Sequence, residues 1–429
     1  MMQQQSTTSP GPASRGGSML SYRAPLFAVT ALFFIWGFLT ALNDILIPHL
    51  KAVFDLNYAE AMLIQFTFFG AYFVMSIPSG WLVAKLGYQW GIVLGLVTAG
   101  CGALLFYPSA SLLWYPLFLA ALFVLASGIT LLQVAANPYV AVLGTPETAS
   151  SRLTLTQAFN SLGTTVAPYI GGLLILGGVL PDAHPTDPAA IEALQAARLE
   201  QAASVQMPYL AIAGTLMLFA ALMALLRLPV IASVEDHTTE PASVFDALGH
   251  SQLALGALAI FCYVGAEVSI GSFLINYLGE PNIGGLEVYS AAAYVGYYWG
   301  GAMIGRFLGS ALLRLVNPGL LLGLFAAAAG ALVTTSAFSD GTLAMWTILS
   351  VGLFNSIMFP TIFTLGIDGL GRLTSQGSSI LVMAIIGGAI IPLVSGHLAD
   401  AFGIQRALLL AVACYLYIVF YGLAGARHR

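Results

Sequence analysis

The chain has 429 residues, 59% of them hydrophobic and only 7% Asp, Glu, Lys or Arg, whereas a soluble globular protein carries roughly 25% charged residues. That composition excludes a water-soluble fold, and a formal charge of −5, spread thinly through the polar breaks, offers no basic patch for nucleic acid. Cys101, Cys262 and Cys414 all fall in apolar stretches and are odd in number, so no disulfide framework is expected.

In chain order, the Gln/Ser/Pro/Gly-rich leader "MMQQQSTTSPGPASRGGSML" lacks the short apolar core and cleavage site of a signal peptide, and residues 1–24 read as a disordered cytoplasmic tail. Twelve apolar runs follow, near residues 25–50, 59–84, 89–107, 112–143, 152–179, 205–228, 251–278, 287–313, 318–338, 342–367, 376–400 and 405–425. About 20 residues rising roughly 1.5 Å each cross a hydrocarbon core of about 30 Å. Only helices fit that length, because backbone polar groups in lipid must pair within the segment. The polar break "PVIASVEDHTTEPASVFDALGH" (229–250) reads as a central cytoplasmic linker between an N-terminal six-helix lobe (25–228) and a C-terminal one (251–429). The expected class is therefore all-α, a polytopic membrane protein with twelve transmembrane helices. In the other long connection, "PAAIEALQAARLEQAAS" suggests a short amphipathic helix on the outer surface.

Nine Lys and Arg residues fall in the loops of one side (Arg15, Arg23, Lys85, Arg152, Arg227, Arg314, Arg372, Arg427, Arg429), against Lys51, Arg198 and Arg406 on the other. That asymmetry places both termini in the cytoplasm of a multi-pass cell (inner) membrane protein.

The halves echo each other. "PYVAVLG" begins at Pro138 and "PTIFTLG" at Pro360; "RLT" opens at Arg152 and again at Arg372; Pro168 matches Pro392, and Gly80 with Lys85 matches Gly309 with Arg314. The offsets are 222, 220, 224 and 229 residues, in one order. Such repeats build two-lobed secondary transporters with a substrate site near the midplane.

With so few charges, each intramembrane polar residue is informative, since a charge at the bilayer centre costs at least about 2.5–3.5 kcal/mol. Asp44 comes just after the nineteen uncharged residues Ala24 to Leu42 and Asn43, and sits one turn before Pro48, whose missing N–H frees the carbonyl of residue 44; Thr40 lies one turn back. Water at the helix end would satisfy it equally well. Glu267 is central in its span, with Tyr263 a turn back and Gly271 a turn on. Arg306 is a candidate ion-pair partner for Glu267, or a snorkelling cation. The amides Asn43, Gln65, Gln133, Asn137, Gln157, Asn160, Asn276 and Asn355 complete the interior. Amides both donate and accept, as recognition of a polyhydroxylated ligand requires, yet interhelical bonding uses the same groups. Asn43, Gln133, Asn137, Gln157, Asn160 and Asn276 are the substrate-binding candidates; Phe33, Trp36, Tyr72, Tyr294, Tyr297 and Trp299 could face a sugar ring. Pro138, Pro168, Pro360 and Pro392 each free the carbonyl four residues earlier, tolerable beside a wet cavity or a re-pairing neighbour.

The stretches "LNDILIPHL", "QVAANPYVAVLG", "LTQAFNSLG", "FCYVGAE", "IGRF" and "FPTIFTLGIDGLG" with "GSSILVMAIIGG" together resemble the fucose–galactose–glucose:cation symporter family of the major facilitator superfamily. The resemblance implies two six-helix lobes, alternating access, and sugar uptake driven by an ion gradient. It also implies that Asp44 is the aspartate of proton-linked sugar binding and that Gln157 and Asn160 are sugar-site amides. Two departures stand out. The fucose branch has glutamate where this chain has Gln133, and glutamine where it has Glu267, which resembles the glucose/galactose branch, and also bacterial transporters of N-acetylglucosamine. "GWLVAKLGYQWG" carries Ala84 where an aspartate is typical of the superfamily.

The function expected is import of a hexose such as glucose or galactose, coupled to H+ with Na+ as the alternative, by a monomer without cofactor or metal. N-acetylglucosamine and fucose are the alternative sugars. Asp44 would take the proton, removing the charge penalty of closing the site, and Glu267 would be a second protonatable group, a sugar acceptor or the partner of Arg306. No clustered nucleophile, acid/base pair or metal-ligand set suggests an enzyme. A sugar sensor that binds without transporting keeps the same residues.

Overall fold

A computed structural model of the chain describes residues 20–54, 56, 58–175, 188–226 and 244–425. Among these, the elements in chain order are α1 (Leu20–Phe54), α2 (Tyr58–Leu112), α3 (Tyr115–Val142), α4 (Ala149–Ile175), α5 (Pro188–Ala203), α6 (Gln206–Leu225), α7 (Val244–Leu248), α8 (Ser251–Gly279), α9 (Val288–Leu312), α10 (Pro318–Ala337), α11 (Gly341–Asn355), α12 (Met358–Ile367), α13 (Thr374–Met383), α14 (Gly387–Phe402), α15 (Ile404–Ala407) and α16 (Leu409–Phe420), the last ending in a π turn, Tyr421–Gly425.

The second and third apolar runs, separate in the sequence reading, form the one long element α2. Gly87, with φ 81° and ψ 168°, breaks it into two arms, a backbone setting that glycine adopts without a Cβ penalty. The Tyr115 hydroxyl, just past the second arm, donates to the Glu60 carbonyl at 2.7 Å, so the arms run back along each other as two passes. Conversely, the tenth pass is split into α11 and α12, and the eleventh into α13 and α14. Pro360, the third residue of α12, explains the first split, since it cannot donate to the carbonyl of Ser356. The predicted tail and linker also shift: α1 begins at Leu20, and α7 lies within 229–250; residues 1–19 and 227–243 lie outside the described residues. The helix expected around 188–204 forms as α5.

Eight described stretches are long and apolar enough to cross a membrane, among them Tyr115–Val142 and Leu63–Leu112, which holds both arms of α2; Pro25–Ala41 is a shorter apolar helix. Two helices outside that set, α4 and α9, pack on each other across the middle of the molecule, where polar residues find partners rather than lipid.

In the N-terminal lobe α1 packs on α4, and α2 on α3 and α6; in the C-terminal lobe α9 packs on α11, α10 on α16, and α8 on α12, α14 and α16. Small residues set the closest approaches, as between helices in lipid. A Cβ at Gly163 would stand 2.1 Å from the Phe34 carbonyl oxygen, and one at Gly352 2.0 Å from that of Tyr298, so backbones touch there. The lobes meet where α13 lies against α2 and α3, and α4 against α9 and α12. Arg152 closes the turn between α3 and α4: its guanidinium donates to the carbonyls of Val140 (3.2 Å) and Ala141 (2.6 Å), orphan acceptors at the end of α3, and to that of Thr145 (2.9 Å) in the turn.

Candidate functional site

Inside the N-terminal lobe, amides pack among aromatic side chains as a buried wall. Gln133 of α3 is 5% exposed and donates through Nε2 to the Tyr72 hydroxyl at 2.7 Å; its Oε1 has no partner. The Trp36 side chain also reaches that hydroxyl. Phe33 packs at a tilt against Trp36, ring centroids 5.1 Å apart, and Phe68 likewise against Tyr72 at 5.3 Å. On α4, Asn160 donates through Nδ2 to the Phe33 carbonyl at 3.0 Å, which ties α4 to α1 beside the same aromatic residues, and buried Gln157 lies one turn before Ser161. Asn137, one turn beyond Gln133, is fully buried with both amide atoms unpartnered. A buried donor or acceptor without a partner costs about 1–3 kcal/mol. Gln133, Asn137, Gln157 and Asn160 thus stand on the two helices, α3 and α4, that line the lobe interface.

Opposite them, in the C-terminal lobe, the Tyr263 hydroxyl donates to Glu267 Oε1 at 2.7 Å, and both residues lie on α8. Glu267 is partly exposed although it stands at the centre of its helix. Arg306 of α9 lies within electrostatic range of that carboxylate. The candidate ion pair is not made directly: among the described residues Arg306 takes other acceptors. Its Nε donates to the Ser356 carbonyl at 3.3 Å, and one terminal nitrogen donates to the Gln157 carbonyl at 3.3 Å and to the Ser161 hydroxyl. The Ser356 carbonyl is the one that Pro360 frees. Nor does Arg306 snorkel to a headgroup, since its guanidinium is bonded between the lobes.

Two amides read from the sequence stand apart from this cluster. Asn276 lies nine residues beyond Glu267, about 13 Å of helix rise, and is exposed without a hydrogen bond to the cluster. Asn355 is fully buried and spent on structure, donating to the Tyr298 hydroxyl and accepting from Tyr415, each at 2.8 Å. The side chains of Asn43 and Asp44 lie outside the described residues; their backbone belongs to α1, which packs on α4.

A polar seam closes the lobes on the face that carries the α3–α4 turn. Ser150 and Thr364 hydroxyls meet at 2.6 Å, Ser151 donates to the Ser310 carbonyl at 2.6 Å, and Arg314 Nε donates to Ser151 at 3.2 Å. Ser378 of α13 donates to the Val134 carbonyl at 2.9 Å, the carbonyl that Pro138 frees. These hydroxyls, and Ser161 with them, escaped sequence reasoning because serine and threonine are frequent in such helices. The one available signal was the proline offset: donors were owed to residues 134 and 356.

A bundle of twelve passes in two lobes, with amides, a carboxylate and a guanidinium gathered where the lobes meet, defines a membrane transporter rather than an enzyme. The Major Facilitator Superfamily model matches residues 26–384, and the chain belongs to that family. It is 53% identical to the glucose/galactose transporter of Brucella abortus biovar 1 (strain 9-941), over 96% of each chain. It is 39% identical to the L-fucose-proton symporter of Escherichia coli (strain K12), over 94% of each. Among solved structures, a Major Facilitator Superfamily transporter, FucP, in the outward conformation superposes with a TM-score of 0.86 at 37% identity, covering 94% of this chain and 98% of that one.

Proposed function

We propose that this protein imports a hexose, glucose or galactose, together with a proton, by alternating access of its two lobes about the interface site. The observation that carries the reading is the placement of Gln157, Asn160 and Ser161 on α4: the helix that ties to the aromatic wall of one lobe also takes the guanidinium of the other. A sugar held there touches both lobes, so its binding is felt by the element that must move. The amides Gln133, Asn137, Gln157 and Asn160 offer donors and acceptors for hydroxyl groups, and Trp36 and Tyr72 offer apolar faces. The glucose/galactose relatives at 53% and 46% identity support the sugar class, and the fucose-proton symporters support the ion.

Asp44 is the proton carrier in this reading. Protonation removes its charge before the site closes around it, and release on the cytoplasmic side couples the two flows. Asn43 supplies a further sugar contact beside it, and Glu267 a second protonatable group. The protein works as a single chain in the inner membrane, with residues 1–24 and 229–250 and both termini on the cytoplasmic side.

Accumulation of radiolabelled glucose, galactose, fucose and N-acetylglucosamine in transport-deficient cells tests this. Glucose or galactose accumulates and collapses with a protonophore, while Asp44→Asn loses concentrative uptake and keeps counterflow exchange. Accumulation that follows sodium instead, or wild-type concentration ratios in Asp44→Asn, would overturn the coupling assignment.

A further inference from the structure

Arg306 is the one described cation held between the lobes within the span of their helices, and its acceptors divide unequally. The Ser356 carbonyl belongs to its own lobe, whereas the Gln157 carbonyl and the Ser161 hydroxyl belong to α4 of the other. The Glu267 carboxylate, in Arg306's own lobe and within its electrostatic reach, accepts from Tyr263. When α4 leaves, the guanidinium loses two acceptors at once, and a guanidinium so placed binds what remains. The carboxylate one helix away travels with it and has oxygen lone pairs to spare.

We propose that Arg306 is an acceptor-switching latch: it cross-links α4 to α9 while the seam is closed and turns to Glu267 when the seam opens. Ser356 is the pivot, because the carbonyl that Pro360 frees holds the guanidinium's Nε in both states. Arg306 and Glu267 are positioning residues here, setting the balance between two arrangements of the lobes rather than touching sugar. The proposal rests on the alternating-lobe reading.

The test is the distance between probes at exposed Leu86 and Leu315, one on each lobe, introduced as non-native amino acids so that the native cysteines stay. Distances are read on purified protein in lipid nanodiscs without sugar or gradient, so failure here is separable from failure of sugar uptake. Arg306→Ala removes both bonds to α4 and moves the population toward the long distance, at least about tenfold for two lost charge-assisted hydrogen bonds. Glu267→Gln takes the charge from the second acceptor, weakening it to a neutral amide oxygen, and moves the population toward the short distance. Opposite shifts are the signature, since a merely structural role would not produce a more closed protein from one of the two variants. If Arg306→Ala is not recovered folded, Ser161→Ala must still move the population toward the long distance by a smaller factor. Shifts of the same sign, or a Glu267→Gln population equal to wild type, would overturn the latch.

Discussion

Pro138 and Pro360 stand 222 residues apart and leave the same debt, a carbonyl four residues back with no helical donor. The two are repaired differently. Val134 receives the Ser378 hydroxyl from the opposite lobe, and Ser356 receives Arg306 from its own. The wall around Gln133 follows from similar arithmetic: one amide nitrogen is spent on Tyr72, and Oε1 is left with nothing. Gln133→Ala therefore removes the Tyr72 hydroxyl's donor together with the proposed sugar contact, and lowers sugar affinity about tenfold, one neutral hydrogen bond's worth. Isothermal titration on purified protein checks it, and unchanged affinity would move the sugar off α3. At this scale the acids and amides were legible, because charge is scarce in lipid; their partners were not, because a donor 149 or 244 positions distant leaves no local pattern.

At the scale of elements, length and hydropathy mark most passes, α4 and α9 being less apolar than the rest, while breaks inside passes depend on single residues. The gap between the runs 59–84 and 89–107 is a one-residue reversal at Gly87 within α2, and Pro360, which frees the carbonyl four residues back, splits a pass in two. Close helix contacts depend on glycines whose role cannot be told from composition in a chain holding 46 of them. Gly163 is decisive, because α1 backbone occupies the space a side chain would need. Gly163→Ala pushes α1 from α4, loosens the Asn160 bond to Phe33, and destabilises the protein by about 1–3 kcal/mol. A thermal melt in detergent reads this as a lower midpoint, together with weaker sugar binding. A variant with wild-type melting and affinity would show that α1 and α4 part without cost.

For the whole molecule, the duplication visible in the sequence as ordered offsets becomes two lobes that meet through few elements, α13 on α2 and α3, and α4 on α9 and α12. The seam must part if the lobes rock. Ser150 and Thr364 touch across it at 2.6 Å, close enough that cysteines there bring their Cβ atoms into disulfide range. Ser150→Cys with Thr364→Cys, oxidised, stops uptake, and a reductant restores it; full uptake by the oxidised pair would show that the seam stays shut during transport.

The central claim is that sugar and proton move together through the interface between the lobes. The direct measurement is proton movement in proteoliposomes holding the purified protein, with a pH-sensitive dye inside and glucose or galactose added outside. Sugar-dependent acidification of the lumen, abolished by Asp44→Asn, is the result predicted. Sugar influx with no change in internal pH, at the same flux, would contradict it.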